Sequence, residues 1–209
     1  MNGLDYILKE LKTEFQGKFI ITQQVKKEVI DKPLTIKKFK LGALRGKKLL
    51  DDGVLELPEA IGISSSELHN KTQEIMNQVN KAYVADNELI KLIHDGEASC
   101  LALSLLASEK KIPSLIAVDE RTTRMLVENP NNLKKLMKRK LHKSVHLRKN
   151  LPNLSKIKII RSSELVYLAY KKGLTQLKNG INILDAMLYA TKFKGAAISD
   201  DEIEQIKRL

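Results

Sequence analysis

Two acidic residues about twenty positions apart are the clearest candidates for chemistry in this sequence. Glu97 lies at the start of an almost wholly apolar helical segment, within Asp95-Gly96-Glu97-Ala98. Asp119 follows the short apolar run 115–118, which has the length of a buried strand. Open parallel sheets bind ligands at the carboxyl ends of their strands, and hard divalent cations prefer oxygen ligands. The two acids therefore predict part of a Mg²⁺ or Mn²⁺ site.

Each of these acids also has a purely structural interpretation. Asp119 would cap the helix that follows its strand, because a carboxylate there accepts hydrogen bonds from the first free amides of a helix. Glu97 would be a first-turn glutamate that the helix dipole favours. The residues alone leave both interpretations open.

The elements that must position these acids alternate between short apolar runs and helical patterns. Strands are expected at 19–21, 54–57, 115–118, 157–160 and 196–198. Helices are expected at 4–15, 22–33, 36–50, 97–108, 122–127, 164–172 and 181–193, and after the capping pairs Ser64 with Glu67 and Ser199 with Glu202. Residues 86–93 are expected to form a short helix or turn. Strands that alternate with helices predict a helix-rich α/β fold with a mainly parallel sheet.

One segment carries almost all of the net charge of +12. Residues 129–163 contain no Asp or Glu but eleven Lys and Arg, so the rest of the chain sums to about +1. Such a basic segment indicates either a polyanion site or a solvated lysine-rich surface, and the complete absence of acids favours the polyanion site. No aromatic residue lies in the segment, so contact with phosphates is favoured over base stacking.

Composition limits the remaining classes of protein. Of the residues, 43% are hydrophobic, which is enough for a real core. The single cysteine, Cys100, cannot form an internal disulfide, and no cluster of zinc ligands is present, which suits a cytoplasmic protein. No apolar run approaches the ~20 residues of a membrane span. There is no Gly-rich phosphate loop and no Ser–His–Asp arrangement, so a small-molecule enzyme lacks support.

Four motifs resemble the PIN-domain nucleases, in particular their archaeal-type members. The residues that carry the resemblance are Ile20-Ile21-Thr22-Gln23-Gln24-Val25-Lys26-Lys27-Glu28, Gly96-Glu97-Ala98, Ala117-Val118-Asp119-Glu120-Arg121 with Arg124, and Ile159-Ile160-Arg161-Ser162-Ser163-Glu164-Leu165. Their order and spacing cover about residues 19–172. The resemblance implies a three-layer α/β/α fold, and we expect a single PIN-like domain over 1–209 with a basic insertion at about 129–156.

The resemblance also implies a chemistry and a set of site residues. In this family three or four acids hold one or two divalent ions, and water attacks a phosphodiester of RNA. Glu28, Glu97 and Asp119 would be the catalytic acids and the ligands of Mg²⁺ or Mn²⁺. A metal would lower the pKa of its bound water and neutralise charge on the phosphate. The RNA backbone would be held by Arg121, Arg124, Lys138, Arg139, Lys140 and Lys143.

The sequence departs from the family pattern at its start. Family members begin with an apolar strand that ends in an Asp, whereas this chain begins with a helical pattern. Asp5 has a helical context and does not replace that Asp. Either the true start lies upstream of residue 1, or the protein lacks its central strand and a principal ligand. Because the loss of a central strand leaves backbone groups unpaired and opens the core, we expect the start to lie upstream.

Two hypotheses about function follow. The first is a metal-dependent endoribonuclease, in RNA processing or as the toxin of a toxin–antitoxin pair. The second is a non-catalytic RNA-binding module with a PIN-like fold and an incomplete site. Both imply RNA as a partner and no membrane, and both admit an antitoxin or another protein partner and a homodimer.

Overall fold

The computed structural model describes residues 4–177 and 181–209. The helices are α1 (Tyr6–Glu14), α2 (Gln23–Lys26), α3 (Lys32–Leu34), α4 (Lys40–Asp51), α5 (Ser65–Asn80), α6 (Asp95–Glu109), α7 (Arg121–Glu128), α8 (Pro130–Leu141), α9 (Ser162–Lys171), α10 (Ile181–Lys192) and α11 (Asp200–Lys207). The strands are β1 (Phe19–Ile20), β2 (Leu55–Glu56), β3 (Tyr83–Ala85), β4 (Glu88–Leu89), β5 (Ile116–Ala117), β6 (Val145–Leu147) and β7 (Ile159–Ile160). A π-helical turn, Lys27–Asp31, joins α2 to α3, and a 3₁₀ turn spans Pro58–Ile61. The predicted helix-rich α/β composition is confirmed, while the three-layer arrangement stays a prediction.

The chain divides into two compact units. The first contains the chain up to Ile21 together with Lys26–Glu56 and Ile160–Leu209. The second contains Thr22–Val25 and Leu57–Ile159, and so includes the basic segment up to Ile159. The single domain with a basic insertion at about 129–156 stays a prediction.

The first unit is built around a helical core. Helices α1, α9, α10 and α11 contribute its buried apolar side chains, among them Leu11, Val166, Leu188 and Ile203. Strands β1 and β2 pair in parallel, with Phe19 opposite Leu55. The predicted capping pair of α11 is confirmed, because Ser199 accepts a hydrogen bond from the Glu202 amide and Glu202 accepts one from the Ser199 amide.

The second unit is built around α6. This helix is apolar nearly all round, and Ala98, Leu101 and Ala102 are completely buried, as the sequence predicted. Helix α5 packs along it and begins where the Ser64 side chain accepts a hydrogen bond from the Glu67 amide. Strand β3 lies between β4 and β6 in an antiparallel sheet, and β5 pairs with β7.

Two expected elements differ in the structure. Residues 86–93 form no helix; of the expected turn, only 86–87 take that conformation, and β4 follows and forms a hairpin with β3. Asp86 and Asn87 connect these strands with φ of 48° and 66°, a two-residue geometry that matches the twist of a hairpin. No strand forms at 196–198, because these residues connect the turn after α10 to the cap of α11, and the Ala196 amide donates to the Thr191 carbonyl at 3.2 Å.

Candidate nucleic-acid interface

A chain of buried hydroxyl groups holds the first turn of α6, which carries Glu97. The Thr22 and Ser99 hydroxyl oxygens lie 2.7 Å apart, and both residues are at most 1% exposed. Ser99 donates to the Gly96 carbonyl at 2.7 Å, so Thr22 donates to Ser99 and accepts from the Val25 amide at 3.2 Å. The start of α2 and the start of α6 are therefore linked within the second unit.

The segment before α6 is fixed by one asparagine at the end of α5. The Asn80 side-chain oxygen accepts hydrogen bonds from the amides of Leu92 and Ile93, at 2.8 and 3.0 Å, and its nitrogen donates to the Ile93 carbonyl at 3.0 Å. Two amides and one carbonyl of this extended segment are thereby tied to one side chain. The sequence interpretation did not single out Asn80, Thr22 or Ser99 as partners, because they lie far apart in the chain.

Glu97 acts as a cap in this structure. Its Oε2 accepts a hydrogen bond from the His94 amide at 3.0 Å, in the first turn of α6. The side chain is half-buried and stabilises the helix start, which fits the structural interpretation of this residue.

Asp119 lies between β5 and α7, and Glu120 rather than Asp119 is the N-cap residue of α7. The Glu120 Oε2 accepts a hydrogen bond from the Thr123 amide at 2.6 Å. Desolvation raises the pKa of Glu120, but the Thr122 and Thr123 amides outweigh it and hold this pKa below its ordinary value. The carboxylate is thus kept ionised and engaged at the helix start, and the capping role expected as an alternative for Asp119 belongs to its neighbour.

The third acid of the predicted metal site lies on a different element. Glu28 is exposed on the π-helical turn of the first unit, whereas Glu97 and Asp119 belong to the second unit. Among residues 4–177 and 181–209, no three His, Cys, Asp or Glu side chains are grouped so that they could hold a metal ion. The described residues therefore do not fit a three-carboxylate Mg²⁺ or Mn²⁺ site. The roles of Glu28, Glu97 and Asp119 as catalytic acids and metal ligands stay predictions from the sequence.

The basic segment forms an amphipathic helix in the second unit. Leu133 and Met137 of α8 are buried, while five basic residues of the helix are exposed: Lys134, Lys135, Lys138, Arg139 and Lys140. Within the part of the chain that the structure describes, none of these five forms an ion pair. Their charges are therefore available to an external anion.

Arg121, Arg139 and Lys140 meet at a surface pocket of about 320 Å³ between α7 and α8. The other lining residues are Glu120, Thr122 and Leu136. The wall thus carries three cationic groups, one carboxylate that is already engaged at the start of α7, a hydroxyl and an apolar side chain. Guanidinium groups bind phosphate oxygens through paired hydrogen bonds, and an ammonium binds them as a point charge.

The other basic residues named from the sequence are less accessible to a ligand. Lys143 forms an ion pair with Asp86 at 3.0 Å, and the Asp86 carboxylate raises the pKa of Lys143. Arg124 is half-buried, and its Nε has no hydrogen-bond partner in the described part of the chain. Arg161 bonds to Glu164 and Glu202 and therefore supports the first unit.

Comparison of the chain with protein-family models, with curated proteins and with solved structures found no match. The likeness to PIN-domain nucleases therefore rests on the four sequence motifs alone. Among the described residues, no helix is both long and apolar enough to cross a membrane.

Proposed function

We propose that this protein binds RNA through its phosphate backbone at the surface formed by α7 and α8. The observation that carries the proposal is the convergence of Arg121, Arg139 and Lys140 on one pocket, without an ion pair to any of them within the described residues. The exposed residues Lys134, Lys135 and Lys138 extend the positive surface along α8. Lysine and arginine contacts to phosphates release counterions, which makes binding favourable and strongly dependent on salt.

The chemistry of this surface favours backbone contacts over the reading of bases. Residues 129–163 contain no aromatic side chain on which an unstacked base could lie. Arginine and lysine contacts with phosphates position a nucleic acid but carry no sequence information. We therefore expect binding that tolerates many RNA sequences and weakens steeply with salt.

A salt titration of RNA affinity tests this proposal. The full chain and the Arg139→Ala/Lys140→Ala variant would be titrated against a labelled single-stranded RNA by fluorescence anisotropy. Each lost phosphate contact should reduce the slope of log affinity against log salt by about 0.7, so the double variant should lose about 1.4. Affinity should fall for every RNA sequence tried.

The Lys47→Ala/Lys48→Ala variant is a matched control. It removes the same net charge from the first unit, where the two lysines pair with Asp51 and Asp52. We expect its slope to equal that of the unaltered protein. Equal slopes for the unaltered protein and for the Arg139 and Lys140 variant would reject the proposed surface.

The second candidate function is metal-dependent cleavage of RNA that uses Glu97 and Asp119 and not the three-carboxylate site. One observation favours it: α6, whose first turn carries Glu97, packs against β5, which is followed by Asp119. An RNA cleavage assay with Mn²⁺ tests this candidate. Glu97→Gln and Asp119→Asn should each abolish cleavage, while circular dichroism shows that both variants remain folded. Cleavage that survives both substitutions would reject the candidate without affecting the proposal of RNA binding.

A further inference from the structure

The start of α4 exposes large apolar side chains that a folded chain normally buries. Ile36, Phe39, Leu41 and Leu44 are 46%, 51%, 66% and 46% exposed. All seven consecutive residues 35–41 are exposed. A concentration of exposed apolar side chains on a protein surface is typical of an interaction site.

Leu41 and Leu44 lie on the side of α4 that does not support the fold. The helix buries Ala43, Gly46 and Leu49, which lie on one side at helical spacing. Leu41 and Leu44 are three residues apart and lie on the opposite side. The helix packs against α3 and the π-helical turn through its buried side, so the exposed leucines do not serve that packing.

The charged residues interleaved in the chain with Ile36, Phe39 and Leu41 are all lysines. Lys37, Lys38 and Lys40 are interleaved with Ile36, Phe39 and Leu41, and within the described residues none of the three lysines forms an ion pair. The Lys38 ammonium lies 5.4 Å from the centre of the Phe39 ring. We call Ile36, Phe39, Leu41 and Leu44, together with these three lysines, the α4 surface.

We propose that the α4 surface binds an acidic amphipathic segment of another protein. Leucines of such a segment would cover Leu41 and Leu44, and its carboxylates would pair with Lys37, Lys38 and Lys40. Helix α4 has 12 residues and so extends about 18 Å, which matches about three turns of a partner helix. The residues of this proposal belong to the first unit, whereas those of the α7 and α8 pocket belong to the second, so the two proposals rest on different residues.

Three other occupants fit the α4 surface less well. A second copy in a two-fold interface would bring equivalent lysines together, which opposes association. A membrane would need a broad apolar face, but α4 uses its other side for the protein core. RNA would gain nothing from the aliphatic side chains at the centre of the surface.

A peptide-binding experiment with two designed partners tests the proposal. The probes are a labelled helical peptide of about 16 residues, made of Leu, Ala and Glu with leucines at i, i+3 and i+4, and the same peptide with Lys in place of Glu. The full chain should bind the glutamate peptide and not the lysine peptide. The Leu41→Gln/Leu44→Gln variant should bind the glutamate peptide at least about tenfold more weakly, because it loses the apolar anchors.

Charge reversal supplies a second variant. Lys37→Glu/Lys38→Glu/Lys40→Glu should lose binding to the glutamate peptide and gain binding to the lysine peptide, since the complementary charge has changed sign. Leu168→Gln is the matched control, because Leu168 is 41% exposed on α9 of the same unit. We expect this control to bind like the unaltered protein, and thermal unfolding should be similar for all variants.

Several outcomes would overturn the proposal. One is that the unaltered protein does not bind the glutamate peptide at millimolar concentration. Another is that Leu168→Gln weakens binding of this peptide as much as Leu41→Gln/Leu44→Gln does. A third is that the charge-reversed variant still prefers the glutamate peptide to the lysine peptide. Two further measurements address the other occupants. If the glutamate peptide does not bind, the unaltered protein binds phosphatidylserine vesicles and the Leu41→Gln/Leu44→Gln variant does not, the surface belongs to a membrane. If the peptide does not bind and the unaltered protein self-associates in sedimentation but this variant does not, the surface belongs to a second copy.

Discussion

At the residue scale, the hydroxyl groups of Thr22 and Ser99 connect two motifs that the sequence had identified separately. One motif contains the turn after β1, and the other is the first turn of α6. Both hydroxyl groups are buried, so each must satisfy its hydrogen bonds within the protein. The Val25 amide, the two hydroxyls and the Gly96 carbonyl together achieve this.

Thr22→Val should destabilise the protein by about 1–3 kcal/mol. Valine has the same shape as threonine but leaves the Val25 amide without its acceptor and Ser99 without its donor. The measurement is the free energy of unfolding in urea. Thr22→Ser is the control, since it keeps the hydroxyl. In a double-mutant cycle, the Thr22→Val/Ser99→Ala variant should be destabilised by less than the sum of the two single variants. A Thr22→Val variant that is as stable as Thr22→Ser would contradict the expected role of the hydroxyl.

Asp86→Asn should increase RNA affinity by less than about tenfold. Asp86 pairs with Lys143, and an exposed ion pair of this kind contributes little to stability, so its loss should leave the fold intact. Asparagine also tolerates the positive φ of 48° at this turn. The substitution releases Lys143 for a phosphate. In the same anisotropy assay, Lys143→Ala is the control background. Adding Asp86→Asn to Lys143→Ala should raise RNA affinity less than Asp86→Asn alone does, because only one negative charge is removed and no lysine is released. An identical gain in both backgrounds would show that Lys143 is not the group released.

At the scale of elements, the connection between the β3–β4 hairpin and α6 depends on Asn80. Its side chain bonds to the backbone of Leu92 and Ile93, directly before the helix start that holds Glu97. A short extended segment of this kind has no helix or sheet of its own to satisfy its amides. The side chain takes that role.

Asn80→Ala should lower the free energy of unfolding by about 1–3 kcal/mol, because buried amides and a carbonyl lose their partner. Asn77→Ala is the control, since Asn77 is exposed on the same helix. Hydrogen exchange should accelerate at the Leu92 and Ile93 amides in the first variant and not in the second. Unchanged exchange at those two amides after Asn80→Ala would be incompatible with the expected role.

At the scale of the whole molecule, each unit has its own core, and a polar cluster supports the first. The Arg161 Nη1 donates to the Glu202 Oε1 at 2.7 Å, which joins the start of α9 to the start of α11. Desolvation raises the pKa of Glu202, but hydrogen bonds from the Ser199 amide and from Arg161 outweigh it and lower this pKa to about 2. In the unfolded chain the same carboxyl group titrates near 4.5.

The depressed pKa of Glu202 makes the first unit sensitive to acid. Because the folded pKa is below the unfolded pKa, the stabilisation is present above pH of about 4.5 and is lost as the pH falls towards about 2. Glu202→Gln should therefore show a smaller decrease in stability over this range than the unaltered protein. The measurements are the pKa of the Glu202 carboxyl by NMR and urea unfolding at several pH values. The control is Asp201→Asn, which alters an exposed acid at the preceding position. The stability of this variant should decrease with falling pH as steeply as that of the unaltered protein. A Glu202 pKa near its ordinary value would contradict the prediction.

The sequence by itself determined the features that depend on short windows of chain. Ser64 and Ser199 cap helices and α6 is buried, because capping and apolar patterning are local properties. Only the tertiary structure decided which distant groups meet. It brings Thr22 to Ser99, pairs β3 with β6, and gathers Arg121 with Arg139 and Lys140. It also engages Glu97 in a cap at the start of α6. Such encounters depend on the packing of segments far apart in the chain, which no local pattern of residue types encodes.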